Sequence, residues 1–150
     1  MTQAGAKGVT RAGDKGGAVT NAEYRSLAQF RRALRSFLHF SEETARSAGL
    51  TPAQHQLLLA VRGADTPEAP TIGEVAEWLK LRHHSTVELV DRAELAGLLR
   101  RVPDPDDHRR QRVTLTELGS TRLDDLSVLH REELRRFREE GLSMLQHLDR

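Results

Sequence analysis

Around Pro103-Asp104-Pro105-Asp106-Asp107 the hydrophobic pattern of this chain changes period, and no other feature constrains the fold as much. The segments Leu98–Val102 and Gln111–Leu115 on either side alternate, whereas apolar residues elsewhere recur at steps of three and four. Pro and Asp at this density make a turn, so the two segments pair as a β-hairpin inside an otherwise helical chain. Val113 and Leu115 share one face of the second strand, while Arg110, Arg112 and Thr114 share the other and make it basic.

The helices are delimited by their own start and stop residues. From Asn21, Leu27, Phe30, Leu34 and Phe37 fall on one face, with Arg25, Arg31, Arg32 and Arg35 elsewhere on the surface, until Ser47-Ala48-Gly49 ends the helix. Thr51-Pro52-Ala53-Gln54 is a capping box with Pro at the first helical position, and Leu57, Leu58 and Val61 supply the buried side up to Gly63. After a loop at 64–70, Thr71-Ile72-Gly73-Glu74 is a second capping box for a helix to about Leu79, with Ile72, Val75, Ala76 and Leu79 inward. The short connection Lys80-Leu81-Arg82 leads to a helix from about His83 to Ala96, packed through Leu89, Val90, Ala93 and Leu95 and stopped by Gly97. Beyond Thr116 the residues Leu123, Leu126, Leu129, Leu134, Phe137, Leu142, Leu145 and Leu148 continue the helical period, and Gly141 predicts a break into two helices. Residues 1–19 carry Lys7, Arg11, Asp14 and Lys15 without apolar periodicity and read as a disordered, mildly basic tail.

Composition narrows the function classes. A chain of 150 residues suits one domain, and with 37% hydrophobic, 30% charged and only 4% aromatic residues its core is lean and built from Leu, Ala and Val. Such a chain leaves part of its burial to a subunit interface. There is no Cys, which excludes disulfides, thiolate catalysis and thiol redox sensing. No apolar run approaches the roughly 20 residues of a membrane span, and the N-terminus has no secretory h-region, so a cytoplasmic protein is expected. A net charge of +1 argues against coating DNA through bulk charge. No nucleophile–base pair or set of catalytic carboxylates is present, since Asp106-Asp107 belong to the turn and Asp124-Asp125 to a solvated helix face; an enzyme is not expected. The seven His include no ligand pairing at helical spacing, so no metal or other cofactor is expected.

Two short helices joined by a tight connection and followed at once by a hairpin are the layout of a winged helix-turn-helix. The fold class is therefore mainly α with a small β-hairpin wing, flanked by long helices. The helix from His83 has the diameter of a major groove, and the hairpin extends sideways along a duplex. Basic residues gather in this stretch: Lys80, Arg82, Arg92, Arg100, Arg101, Arg109, Arg110 and Arg112, with His83, His84 and His108 beside them.

Residues 50–119 resemble the MarR (multiple antibiotic resistance regulator) family of bacterial winged-helix transcription factors. The matching pieces are Leu50-Thr51-Pro52-Ala53-Gln54, Glu74-Val75-Ala76-Glu77-Trp78-Leu79, and Val90-Asp91-Arg92 with Leu95, Gly97-Leu98-Leu99 and Arg100-Arg101. The most specific is Pro103-Asp104-Pro105-Asp106-Asp107-His108-Arg109-Arg110 followed by Val113, Leu115-Thr116 and Gly119. The resemblance implies one domain over 20–150, with 20–48 and 117–150 as dimerisation helices and 50–116 as the winged helix-turn-helix. It implies a homodimer, paired through Tyr24, Leu27, Phe30 and Leu34 with Leu142, Leu145 and Leu148, that binds double-stranded DNA at a pseudo-palindromic operator and represses until a small molecule releases it.

By the same resemblance Arg109 is the wing-tip arginine that reaches the minor groove beside Arg110, and Asp107 holds it. His83, His84, Ser85 and Thr86 face the major groove, and Arg82, Arg100 and Arg112 touch phosphate. Phe37, Phe40 and His55 line an effector pocket for an aromatic or phenolic acid, with ordinary core packing as the other reading of the two phenylalanines.

Two positions depart from the family. Lys80 stands where Gly is usual, and Glu88 stands at or beside a basic position. That carboxylate either accepts from a cytosine amino group or closes a capping box Ser85-Thr86-Val87-Glu88, and the box is the favoured reading. The alternative function, a winged-helix dimer that acts through protein contacts without an operator, has the basic wing against it.

Overall fold

Threonine starts four of the five helices in the computed structural model, which describes residues 17–146. The order is α1 (Asn21–Ser47), α2 (Pro52–Arg62), α3 (Ile72–Leu79), α4 (His83–Leu95), β1 (Leu99–Pro103), β2 (Gln111–Leu115) and α5 (Glu117–Leu145). Thr20, Thr51 and Thr71 form full capping boxes with Glu23, Gln54 and Glu74, and Thr116 Oγ1 accepts from the Gly119 amide. Each box satisfies amides that the helix itself leaves unpaired. The tail expected at 1–19 lies outside the described residues except for 17–19, and Leu148 lies outside them too.

The exception among the helix starts is α4. It begins at His83 with Arg82 at the cap and no side-chain cap hydrogen bond, so the favoured capping box at Ser85 does not form and Glu88 is an interior helical residue. The turn from α3 is closed instead by Lys80 in the left-handed region (φ 55°, ψ 38°), with its amide bonded to Glu77 O. Gly adopts that conformation at less cost than Lys.

The core lies under the winged helix and at its junction with the long helices. Leu57, Leu58 and Val61 of α2, Ile72 and Val75 of α3, Val90 and Ala93 of α4, Leu98, Leu99 and Val113 around the hairpin, and Leu123 and Leu126 of α5 form one cluster that also takes Ala45 and Leu50. β1 and β2 pair antiparallel with Leu99 opposite Leu115 and Pro103 opposite Gln111. The far edge of β2 meets the loop before α3, where the Val113 amide donates to Pro70 O at 2.9 Å. Gly119 lets α5 approach the wing base: an added Cβ there would sit 2.1 Å from Leu98 O.

Three sequence expectations are corrected. Gly141 does not break the final helix, because α5 runs unbroken through it with the Phe137 ring packed beside it. Leu95 is 91% exposed and not on the packed side of α4, since it stands half a turn from the Val90–Ala93 face. Arg101 is not free basic surface: its guanidinium reaches Asp91 and Glu94 of α4, and its Nε reaches Gln111 of β2 at 2.9 Å.

The outer halves of α1 and α5 pack on each other, with Phe30 and Phe37 against Phe137 at ring distances of 6.0 and 5.6 Å. Yet Tyr24, Leu27, Leu38, Val128, Leu129, Leu134 and Leu142 remain exposed along these helices. No helix among the described residues is long and apolar enough to cross a membrane.

Candidate nucleic-acid interface

The wing is built around a buried carboxylate that the sequence presents only as a turn residue. Asp104 is 3% exposed. Its Oδ1 accepts from the amides of Asp106 (2.8 Å) and Asp107 (3.1 Å), and its Oδ2 accepts from Arg112 Nε (2.9 Å) and Nη2 (2.8 Å). The Asp106 amide, then those of Asp107 and the Arg112 guanidinium, hold the Asp104 carboxyl below its ordinary pKa, against the opposing effect of burial. Arg112 also donates from Nη1 to Ala69 O at 2.6 Å and pairs with Glu68 at 3.1 Å. Arg112 is therefore a brace between the wing and the loop before α3, and its 16% exposed side chain is not the phosphate contact expected of it. The alternation of β2 gave its face correctly but not the loop that covers that face.

Beyond this anchor the tip is tied locally and open outward. Asp107 Oδ1 accepts from the Arg109 amide at 3.0 Å, and its carboxylate lies 3.7 Å from Arg109 Nε and 4.0 Å from Arg110 Nε. The Arg109 side chain is nevertheless 95% exposed. Asp107 thus shapes the backbone under Arg109 and weakly aims both guanidinia, which remain available to a partner.

On α4, Arg82, His83 and His84 are exposed at the N-terminus and Ser85 is half-buried. Thr86 is a further correction: it is fully buried, and its hydroxyl donates to Arg82 O at 3.0 Å, so it locks the first turn and cannot face a groove. Arg100 is exposed on β1 opposite Thr114. A groove of about 520 Å³ runs between α3, α4 and the wing, bringing His83 and Val87 together with His108, Arg109 and Arg110. Glu74 and Glu77 of α3 also line it.

A separate cavity of about 250 Å³ opens between α1, α2 and α5, lined by Phe37, Ser41, His55, Leu59, His130 and Leu134 among others. Phe40 does not line it, but stands edge-on to the His130 ring at 5.9 Å. His130 Nδ1 lies 2.8 Å from Leu126 O and therefore donates to it, which leaves Nε2 to accept from Ser41 Oγ at 2.8 Å. The His55 ring lies 4.7 Å from that of His130, and its buried Nδ1 has no hydrogen-bond partner. Burial, and then the neighbouring His130, push the His55 pKa below its usual value. Among the described residues no three His, Asp or Glu side chains are grouped to hold a metal ion.

The connectivity of this helix-turn-helix and wing recurs in known proteins, and residues 48–110 match the family model described as MarR family. Over that stretch the chain is similar to the MarR family. The match spans the helix-turn-helix and the wing tip, a part of the chain that contains α2, α3, α4 and β1. Similar solved MarR-type structures include AbsC, a MarR family transcriptional regulator from Streptomyces coelicolor (20% identity, 88% of this chain and 93% of that one, TM-score 0.70). The S. aureus MepR–DNA complex is 19% identical over 81% of this chain and 92% of that one, with a TM-score of 0.66. CouR from Rhodococcus jostii RHA1, bound to p-coumaroyl-CoA, is 24% identical over 80% of this chain and 83% of that one, with a TM-score of 0.67. No curated protein matches the sequence significantly.

Proposed function

We infer that this chain is a MarR-family regulator that acts in the cytoplasm as a homodimeric repressor, binds a pseudo-palindromic operator and is released by a small-molecule effector. The observation that carries the reading is the shared groove. The N-terminus of α4 and the wing tip border one cleft, and the exposed side chains around it, Arg82, His83, His84, Arg109 and Arg110, have no strong partner among the described residues. In this reading α4 enters the major groove with His84 and Ser85 toward base edges, and Arg109 reaches the neighbouring minor groove. Arg82 and Arg100 meet phosphates, while Asp107 acts through the arginines it positions.

The dimer is supported by the unburied apolar surface of the long helices. Tyr24, Leu27 and Leu142 are exposed, and Phe30, Leu34 and Leu145 are half-buried. A second copy covering them supplies burial that the lean core lacks. The cavity at His55 and Phe37 is the effector site in this reading. It lies between the long helices and the DNA-binding lobe, so an aromatic acid there biases the distance between the two α4 helices. The solved CouR complex with p-coumaroyl-CoA supports a ligand-responsive relative.

Sedimentation equilibrium combined with hydroxyl-radical footprinting on the DNA upstream of the protein's own gene tests the proposal. The expected result is a dimer protecting two half-sites roughly 34 Å apart. A monomer at micromolar concentration, or protection without two-fold symmetry, overturns it.

A further inference from the structure

The recognition helix carries three acids, and the structure separates one from the other two. Asp91 and Glu94 are both neutralised by Arg101, which ties α4 to the wing. Glu88 is exposed and enters no ion pair or side-chain hydrogen bond among the described residues. A capping box with Ser85 is removed by the helix start at His83.

Its direction follows from the buried side of α4. Thr86, Val90 and Ala93 point into the protein. At about 100° per residue, Glu88 stands roughly 200° and His84 roughly 160° from Thr86, so the two flank the line directly away from the core. They are four residues apart on the outermost stripe, the part of the helix that penetrates a groove furthest when its inner face is packed.

A carboxylate in that position is costly beside phosphates unless it meets a hydrogen-bond donor. In the major groove guanine offers only acceptors to it, and adenine pairs its amino donor with the N7 acceptor beside it. Cytosine presents its N4 amino group with no ring acceptor alongside. We propose that Glu88 is a specificity-determining residue that accepts a hydrogen bond from a cytosine N4 amino group in each half-site and, by charge repulsion, rejects duplexes lacking it. The proposal rests on the operator-binding reading above. It assigns to this chain a base preference set as much by repulsion from wrong sequences as by attraction to the right one.

The test begins with selection of duplexes from a random pool by the full-length wild-type protein. Fluorescence anisotropy at fixed salt then measures wild type, Glu88→Ala and Glu88→Gln on the selected duplex, on all its single base-pair variants, and on a scrambled duplex. Wild type is expected to prefer C·G at one symmetric position by about tenfold per half-site, within the range of a specific base contact. Glu88→Ala should abolish that preference alone and bind the scrambled duplex several-fold more tightly. Glu88→Gln should shift the preference toward A·T, because an amide satisfies both adenine N6 and N7. If Glu88→Ala keeps the wild-type profile at every position, the role of Glu88 is overturned while operator binding stands. If wild type enriches no sequence at all, the operator-binding reading falls and this proposal with it. Because Glu88 is exposed, unchanged thermal unfolding of both variants is expected, and it separates loss of contact from loss of fold.

Discussion

Replacing Gly119 by Ala tests how the wing is joined to α5. The added methyl would lie 2.1 Å from Leu98 O and 3.0 Å from the Leu98 carbonyl carbon, more than an ångström inside ordinary contact with the oxygen. The obstacle is backbone, and it has nowhere to retreat: Leu98 and Leu99 are buried, and Leu98 O already accepts from the Thr116 amide at 3.1 Å. Relief requires moving α5 away from the strand, which breaks that bond and strains the bond from Thr116 Oγ1 to Gly97 O at 2.5 Å. Overpacking costs about 1–3 kcal/mol, and an unmet buried polar group about as much again. Against this, Ala gains about 1 kcal/mol of helix propensity over Gly. A net loss of about 2–4 kcal/mol is expected in urea unfolding followed by far-UV circular dichroism at one fixed protein concentration. Gly141→Ala is the internal control on the same helix, because its methyl would meet only the Phe137 ring at 3.7–3.9 Å. It should stabilise by up to about 1 kcal/mol. Equal stability of Gly119→Ala and wild type would refute the steric reasoning.

Three further outcomes follow from particular contacts. Lys80 sits at φ 55°, so Lys80→Gly should leave stability unchanged or raise it by up to about 1 kcal/mol, whereas β-branched Lys80→Val should lose about 1 kcal/mol or more in the same urea assay. Asp104 has a lowered native pKa, so its ionised form stabilises the wing above the unfolded carboxylate value near 3.9, and that contribution is lost as pH falls through the native value. Asp104→Asn should therefore increase amide exchange at Asp106 and Asp107 at neutral pH, and its thermal-unfolding deficit should shrink as the medium is acidified below about pH 4. His55 is held neutral in the native protein, so the unfolded chain takes up its proton first as pH drops below roughly 6.5, and stability declines from there toward the native pKa. Thermal unfolding of His55→Gln between pH 7 and 5.5 should show a smaller decline than wild type; an identical decline would assign it to other groups.

Much of this arrangement was legible in the sequence because its signals are local. Thr51 with Gln54 and Thr71 with Glu74 announce helix starts through bonds completed within four residues, and the Pro-Asp turn announces the hairpin. The errors share a different origin. Ser85 with Glu88 has the spacing of a cap, but Thr86 is needed in the core, and the helix starts three residues earlier, with Arg82 at the cap. Arg112 alternates onto a polar face, yet the loop carrying Glu68 and Ala69 folds over that face and claims its guanidinium. Gly141 looks like a stop until the Phe137 ring is packed beside it. Asp104 gave only the signal of a turn residue, and its partner eight positions away is reached only once the strands pair. Long-range partners, not local propensities, separate the bracing residues Asp104 and Arg112 from the outward-facing Arg109 and Arg110.

The central claim is that the exposed wing and recognition helix read an operator. Fluorescence anisotropy of wild type and Arg109→Ala on the fragment upstream of the protein's own gene, and on a scrambled duplex, across a salt series addresses it most directly. The account predicts wild-type binding to one fragment on the order of 10⁻⁸–10⁻¹¹ M, weakened at least about tenfold by Arg109→Ala while the fold is unchanged. Equal, weak and steeply salt-dependent binding of both proteins to every duplex would contradict it.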